Sequence, residues 1–174
     1  MQNLIDKYGL RIKLGPCFVH STNRFSIDKR FKEEPHFFDI IEKPKGSYDE
    51  MFPVPDEILG SLHLFLLSYE RDIDTRSFLR DVVADPTLRL VGVHGMILLA
   101  ETQFGQIPYY ATIVSPAYVI DELGHGPETK KLAQMPYFNM RERGMISVNY
   151  STSRATTFFQ PGLEFILLGQ VVPK

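Results

Sequence analysis

A chain of 174 residues with 44% hydrophobic and 23% charged residues and a net charge of -2 has the make-up of one globular domain, able to bury a core without covalent staples. That balance excludes a global basic field for polyphosphate partners, and a single cysteine, Cys17, excludes an intrachain disulfide. The apolar runs are far too short for a bilayer span, and the opening MQNLIDKYGLRIKLG holds no block of signal-peptide length. The expectation is a soluble, non-secreted protein, cytoplasmic or carried in a virion, with no membrane contact.

Residues 1–54 are irregular in texture. Leu10, Ile12 and Leu14 alternate with Arg11 and Lys13, which predicts a short strand. Prolines at 16, 35, 44 and 53 argue against long helices. Phe18, Phe25, Phe31, Phe37, Phe38 and Phe52 are too many aromatics for a disordered tail. The segment therefore reads as an extended, aromatic-rich arm that packs on its own domain or on a neighbour. Charges interspersed among Phe25, Phe31, Phe37 and Phe38 favour the neighbour, as an interface strip. Arg24, Lys29, Arg30 and Lys32 also flank aromatics, a pattern suited to stacking on nucleic acid, but Glu33 and Glu34 follow directly and a nucleic-acid partner is not expected.

Residues 55–174 read as an α+β core domain. Ile58, Leu62, Phe65, Leu66 and Tyr69 follow helical spacing, so a helix is predicted from Pro55 to about Arg71, apolar most of the way round. Asp74 is placed as the N-cap of a second helix, TRSFLRDVVA, which stops before Pro86. From Leu88 the period changes to two, predicting a central strand with both faces apolar. TQFGQ turns that strand into an antiparallel return, IPYYATIVS. After a Gly- and Pro-rich loop, two further strands are predicted around Ile146–Tyr150 and in ATTFFQPGLEFILLGQVV, the latter folded at Gln160-Pro161-Gly162. The predicted architecture is two helices and a mostly antiparallel sheet of four or five strands, preceded by the arm.

Candidate chemistry is sparse. His94, between Gly92 and Gly95, reads as a hydrogen-bonded histidine inside the sheet. Cys17 and His20 have the residue types of a nucleophile and its base, but three residues apart on an extended segment they point to opposite faces. His36, His63 and His125 show no metal-ligand spacing, and LGHGPETKK lacks the register of a phosphate loop. The alternating charges of YERDIDTRSFLRD read as a solvated, self-neutralising face. No catalytic, cofactor or metal site is predicted, and the reading leans away from an enzyme.

Two functional readings remain. The leading one is a structural or interaction subunit of a larger assembly, such as a virus or phage particle, whose partners are copies of itself or other subunits. The alternative is a small enzyme or ligand-binding domain with a pocket between helices and sheet, where His94, Tyr109, Tyr110 and Asn149 would converge.

Overall fold

The computed structural model describes residues 1–22, 26–33, 38–40, 47–52, 58–108, 111–115, 135–140, 146–151, 158–159 and 164–172. In chain order the elements are α1 (Gln2–Tyr8), β1 (Leu10–Ser21), α2 (Ile27–Glu33), β2 (Phe38–Ile40), α3 (Tyr48–Met51), β3 (Gly60–Tyr69), β4 (Ile73–Asp74), α4 (Thr75–Ala84), β5 (Leu88–Arg89) and α5 (Gly92–Gln103). A 3₁₀ turn (Phe104–Gln106) leads on to β6 (Thr112–Val114), β7 (Met135–Met140), β8 (Ile146–Ser151), β9 (Phe158–Phe159) and β10 (Glu164–Val171).

The fold is α+β around a mixed sheet with strand order β1-β3-β10-β6-β7-β8-β2, and β5 pairs with β10 beyond the end of β6. The pairs β10–β6 and β2–β8 are parallel and the remaining pairs antiparallel, so the sheet is larger and less uniformly antiparallel than its sequence suggests. A small separate pairing joins β4 to β9.

Two apolar layers sandwich the central strands. Leu62, Leu64 and Leu66 of β3 share one core with Phe165 and Leu167 of β10, and α5 with α2 and α3 closes over it. Phe65, Leu67 and Tyr69 point the other way, with Ile166 and Leu168, into a second core closed by α1 and α4. This arrangement explains the largest correction. Residues 60–69 are a strand rather than a helix, because β3 lies between β1 and β10 with both faces covered. A strand buried on both sides is continuously apolar, and helical spacing can then be read from it by coincidence.

The second correction is the mirror of the first. Residues 92–103 form a helix, not a strand with an antiparallel hairpin partner. Its apolar residues face the sheet on one side and α2 and neighbouring chain on the other, and a helix buried all round loses its 3.6-residue signal. Gly95 allows this first turn to form: a Cβ there would sit 2.3 Å from Cγ2 of Val91 and 2.4 Å from its Cβ. The same Val91 side chain presses on Gly169, where a Cβ would meet Cγ1 at 2.6 Å, so two glycines let α5 approach β10.

Further differences are local. Part of the expected loop is the strand β7, and the strands β9 and β10 do not pair with each other: Phe158 and Phe159 pair with Asp74 and Ile73 instead. The Gln160-Pro161-Gly162 turn and the LGHGPETKK loop lie outside the described residues. The α4 prediction agrees with the structure: the helix spans Thr75–Ala84, and the Asp74 side chain accepts from the Ser77 amide at 2.8 Å.

Residues 1–54 contain more regular structure than an extended arm. Besides β1, which pairs with β3 along its length, they contribute α1, α2, β2 and α3. Phe31 and Phe38, expected on an interface strip, are 4% and 3% exposed in this chain's own core. Their rings lie 5.1 Å apart, Phe31 meets Tyr48 edge-on at 4.9 Å, and Phe38 meets Phe138 of β7 at 5.9 Å. The charges between these aromatics have local tasks. Asp49 accepts from the Ile27 amide at 2.6 Å and from Ser26 Oγ at 2.5 Å, capping α2, while Asp28 accepts from the Tyr48 and Asp49 amides at 3.1 and 2.9 Å, capping α3. Phe25 and Phe37 lie outside the described residues.

Candidate functional site

Among the described residues, two places hold side chains able to do more than fill space. The first is buried. Ser21 ends β1 and His94 sits in the first turn of α5, 73 positions later, yet Ser21 Oγ and His94 Nε2 lie 2.7 Å apart. Both residues are nearly sealed, at 2% and 3% exposure. The α5-facing positions of β3 and β10 are Leu62, Leu64, Leu66, Phe165 and Leu167, which form one apolar core with the helix. Burial pushes the His94 pKa down from 6.5 to about 4.

A hydroxyl on a neutral imidazole is the starting geometry of a nucleophile and its general base. Here two features oppose that use. A base of pKa about 4 draws a proton weakly at neutral pH, and a buried Oγ offers no approach for an electrophile. The pair instead ties the end of an edge strand to the start of a helix, giving the Ser21 hydroxyl and His94 Nε2 a partner inside the protein in place of water. His94 is thus a hydrogen-bonded core histidine, as its sequence suggests, but on a helix. Nothing local in the sequence could single out Ser21, because its partner is remote in the chain.

Of the other expected pocket residues, Asn149 does not join this pair. Asn149 lies on β8, paired with Tyr137, and four strands separate β8 from β1. Tyr109 and Tyr110 fall outside the described residues. Cys17 is buried and His20 exposed, consistent with their placement on opposite faces of β1. Among the described residues no group of three or more His, Cys, Asp or Glu side chains is placed to hold a metal ion. Nor is any described helix long and apolar enough to cross a membrane. The charged junction near α4 is engaged in structure. Asp81 accepts from Tyr8 Oη at 2.6 Å and pairs with Lys7, Glu70 pairs with Arg11 at 2.9 Å, and Arg71 donates to the Lys7 carbonyl at 2.9 Å.

The second place is open. Among the described residues β1 is the end strand of the sheet, paired with β3 on one side. Its first half is poorly suited to accept another strand. Arg11 and Lys13 project charge, the register with β3 shifts between Ile12 and Cys17, and Pro16 lacks an N–H. Its second half differs: Cys17 to Ser21 pair with Leu64 to Gly60 without interruption. Cys17, Val19 and Ser21 are buried beneath α5, and Phe18 and His20 face away from it. On that outer face Phe18 stands edge-on to His63 at 6.0 Å, and His63 edge-on to Phe65 at 6.5 Å. Despite this support Phe18 is 60% exposed, and Ile12 on the same strand is 46% exposed. Sequence alternation groups Ile12 with Leu10 and Leu14 on the apolar face of the strand, so the exposure of Ile12 and Phe18, like the place of β1 at the end of the described sheet, is shown only by the structure.

No family model, curated protein or solved structure matches the chain.

Proposed function

We propose that this protein acts by binding protein, as a subunit of a larger assembly, and that the contact is made by the outer part of β1. The observation that carries this reading is the exposure of Phe18 and Ile12 on an end strand whose inward residues are well buried. Full burial of a Phe side chain is worth about 2–3 kcal/mol, so a partner covering Phe18 gains energy that the isolated chain leaves unused. The ring is also held in place by His63, which lowers the ordering cost of binding it. This reading replaces the earlier interface candidates Phe31 and Phe38, which the fold already buries.

The test is isolation of the chain from its native source under mild conditions, followed by native mass spectrometry and amine crosslinking. The expected result is a particle heavier than the 20.0 kDa chain, with intermolecular crosslinks at Lys13, which is exposed on β1 beside the contact. A chain recovered only as a monomer, or one crosslinked to its partner only through distant lysines such as Lys7, would overturn the reading.

A further inference from the structure

Resting on that reading, we infer that the partner is a second copy of this chain, joined through antiparallel pairing of β1 with its symmetry mate about Val19. Three observations lead there. First, the pairable part of the edge is short and defined: the register shift and Pro16 end it on one side, and the strand ends at Ser21 on the other. Its midpoint is Val19. A two-fold axis there sets Val19 opposite its own copy, Phe18 opposite His20 of the mate, and Cys17 opposite Ser21 of the mate, which is the self-complementary pattern of a closed dimer.

Second, charge permits this register. Residues 17–21 carry no Asp, Glu, Lys or Arg, so no like charges meet across the axis. Lys13 lies six positions from Val19, roughly 20 Å of extended chain at about 3.4 Å per residue. In the antiparallel mate the second Lys13 projects from the opposite end, well beyond the screening length of about 10 Å. Pairing centred on Ile12, by contrast, would set Arg11 against Lys13 of the mate.

Third, the side chains fit the geometry. Phe18 and His20 occupy the face away from α5, so pairing places the Phe18 ring beside His20 of the mate and continues the Phe18–His63–Phe65 aromatic row across the junction. The buried face meets the mate through Cys17, Val19 and Ser21, small or β-branched groups already packed under α5. Both sheets thus join into one, and two end strands become interior ones.

The experiment is sedimentation equilibrium on the purified full chain, comparing wild type, Phe18→Glu, His20→Lys and the double variant. Phe18 and His20 are exposed, so these substitutions leave the fold intact, which circular dichroism verifies. The wild type is expected to dimerise. Phe18→Glu is expected to weaken the dimer about tenfold or more, because each copy loses its cross-strand aromatic contact and two carboxylates approach diagonally. His20→Lys alone gives a smaller loss. The double variant is expected to recover most of the affinity, since register about Val19 sets each new carboxylate directly opposite a new ammonium. A dimer indifferent to Phe18→Glu, or a double variant weaker than Phe18→Glu, overturns the proposal. A purified chain that stays monomeric at all concentrations also overturns it. If that same chain occurs in a larger particle in its native source, the partner is another protein and the broader binding reading stands.

Discussion

Lowering the pH from 7.5 to 5 is expected to destabilise the protein through His94 alone by about 2 kcal/mol. In the unfolded chain this imidazole takes a proton near pH 6.5; in the fold, burial holds that event down to about pH 4. Between those values the unfolded state binds the extra proton and the folded state does not, so stability falls as pH falls. Each pH unit in the window is worth about 1.4 kcal/mol, which gives about 2 kcal/mol at pH 5 and about 3 kcal/mol once the window is crossed. The location adds to the effect: His94 lies in the first turn of α5, where the helix dipole disfavours a cation. The assay is urea unfolding at pH 7.5, 6 and 5 for wild type and His94→Gln. Glutamine does not titrate, so the stability difference between the two proteins isolates the histidine from the carboxylates. The difference is expected to favour wild type most at pH 7.5 and to shrink by about 2 kcal/mol at pH 5. A difference independent of pH would show that the ring is reached by solvent in the folded state, and the sealed Ser21–His94 clamp would have to be abandoned.

Gly95→Ala is expected to lower stability by about 1–2 kcal/mol, although alanine is the better helix former, because the new methyl collides with the stiff Val91 side chain. A thermal melt at or above the wild-type midpoint would refute that packing. Asp74→Ala removes the α4 cap and is expected to cost about 1 kcal/mol in urea unfolding. The Ser77 hydroxyl and amide hold the Asp74 carboxyl below its usual pKa, so the cap's contribution is present above the ordinary carboxylate range and fades as pH falls through the lowered value; a loss that is constant down to strong acid would argue against the cap. Deleting residues 1–50 is expected to leave an unfolded or insoluble remainder, since β1 is an integral strand and Phe31, Phe38 and Tyr48 belong to the core. A soluble remainder with cooperative unfolding would show that the segment is dispensable after all.

The sequence by itself determined the features that depend on neighbouring residues. Composition bounded the class as a globular domain, and the mixture of helical and alternating segments made it α+β. Asp74, the apolar spacing of Phe78, Leu79 and Val82, and Pro86 delimited α4, because a cap, an amphipathic face and a helix breaker each act within a few positions. Alternation at Leu10–Leu14 and at Ile146–Tyr150 marked β1 and β8, although not the full twelve residues of β1. His94 was legible as a hydrogen-bonded core residue because an ionisable ring in an apolar run has few other stable states.

Only the tertiary structure decided the rest. Residues 60–69 and 92–103 exchanged their expected states, strand for helix and helix for strand, and the cause is the same in both. Each element is buried on more than one side, and an element surrounded by hydrocarbon carries no polar face from which to read its period. What separates them is the partner each finds: β1 and β10 satisfy the backbone of β3 from either side, whereas α5 satisfies its own and can lie on the sheet because Gly95 and Gly169 make room for Val91. The aromatics of residues 1–54 looked like an interface strip because their core partners, such as Phe138, lie far along the chain. Ser21 meeting His94, and β1 ending the sheet with Phe18 outward, are likewise long-range outcomes of strand order. A side chain's local sequence can say which way it points along a strand, but what waits there is set by topology.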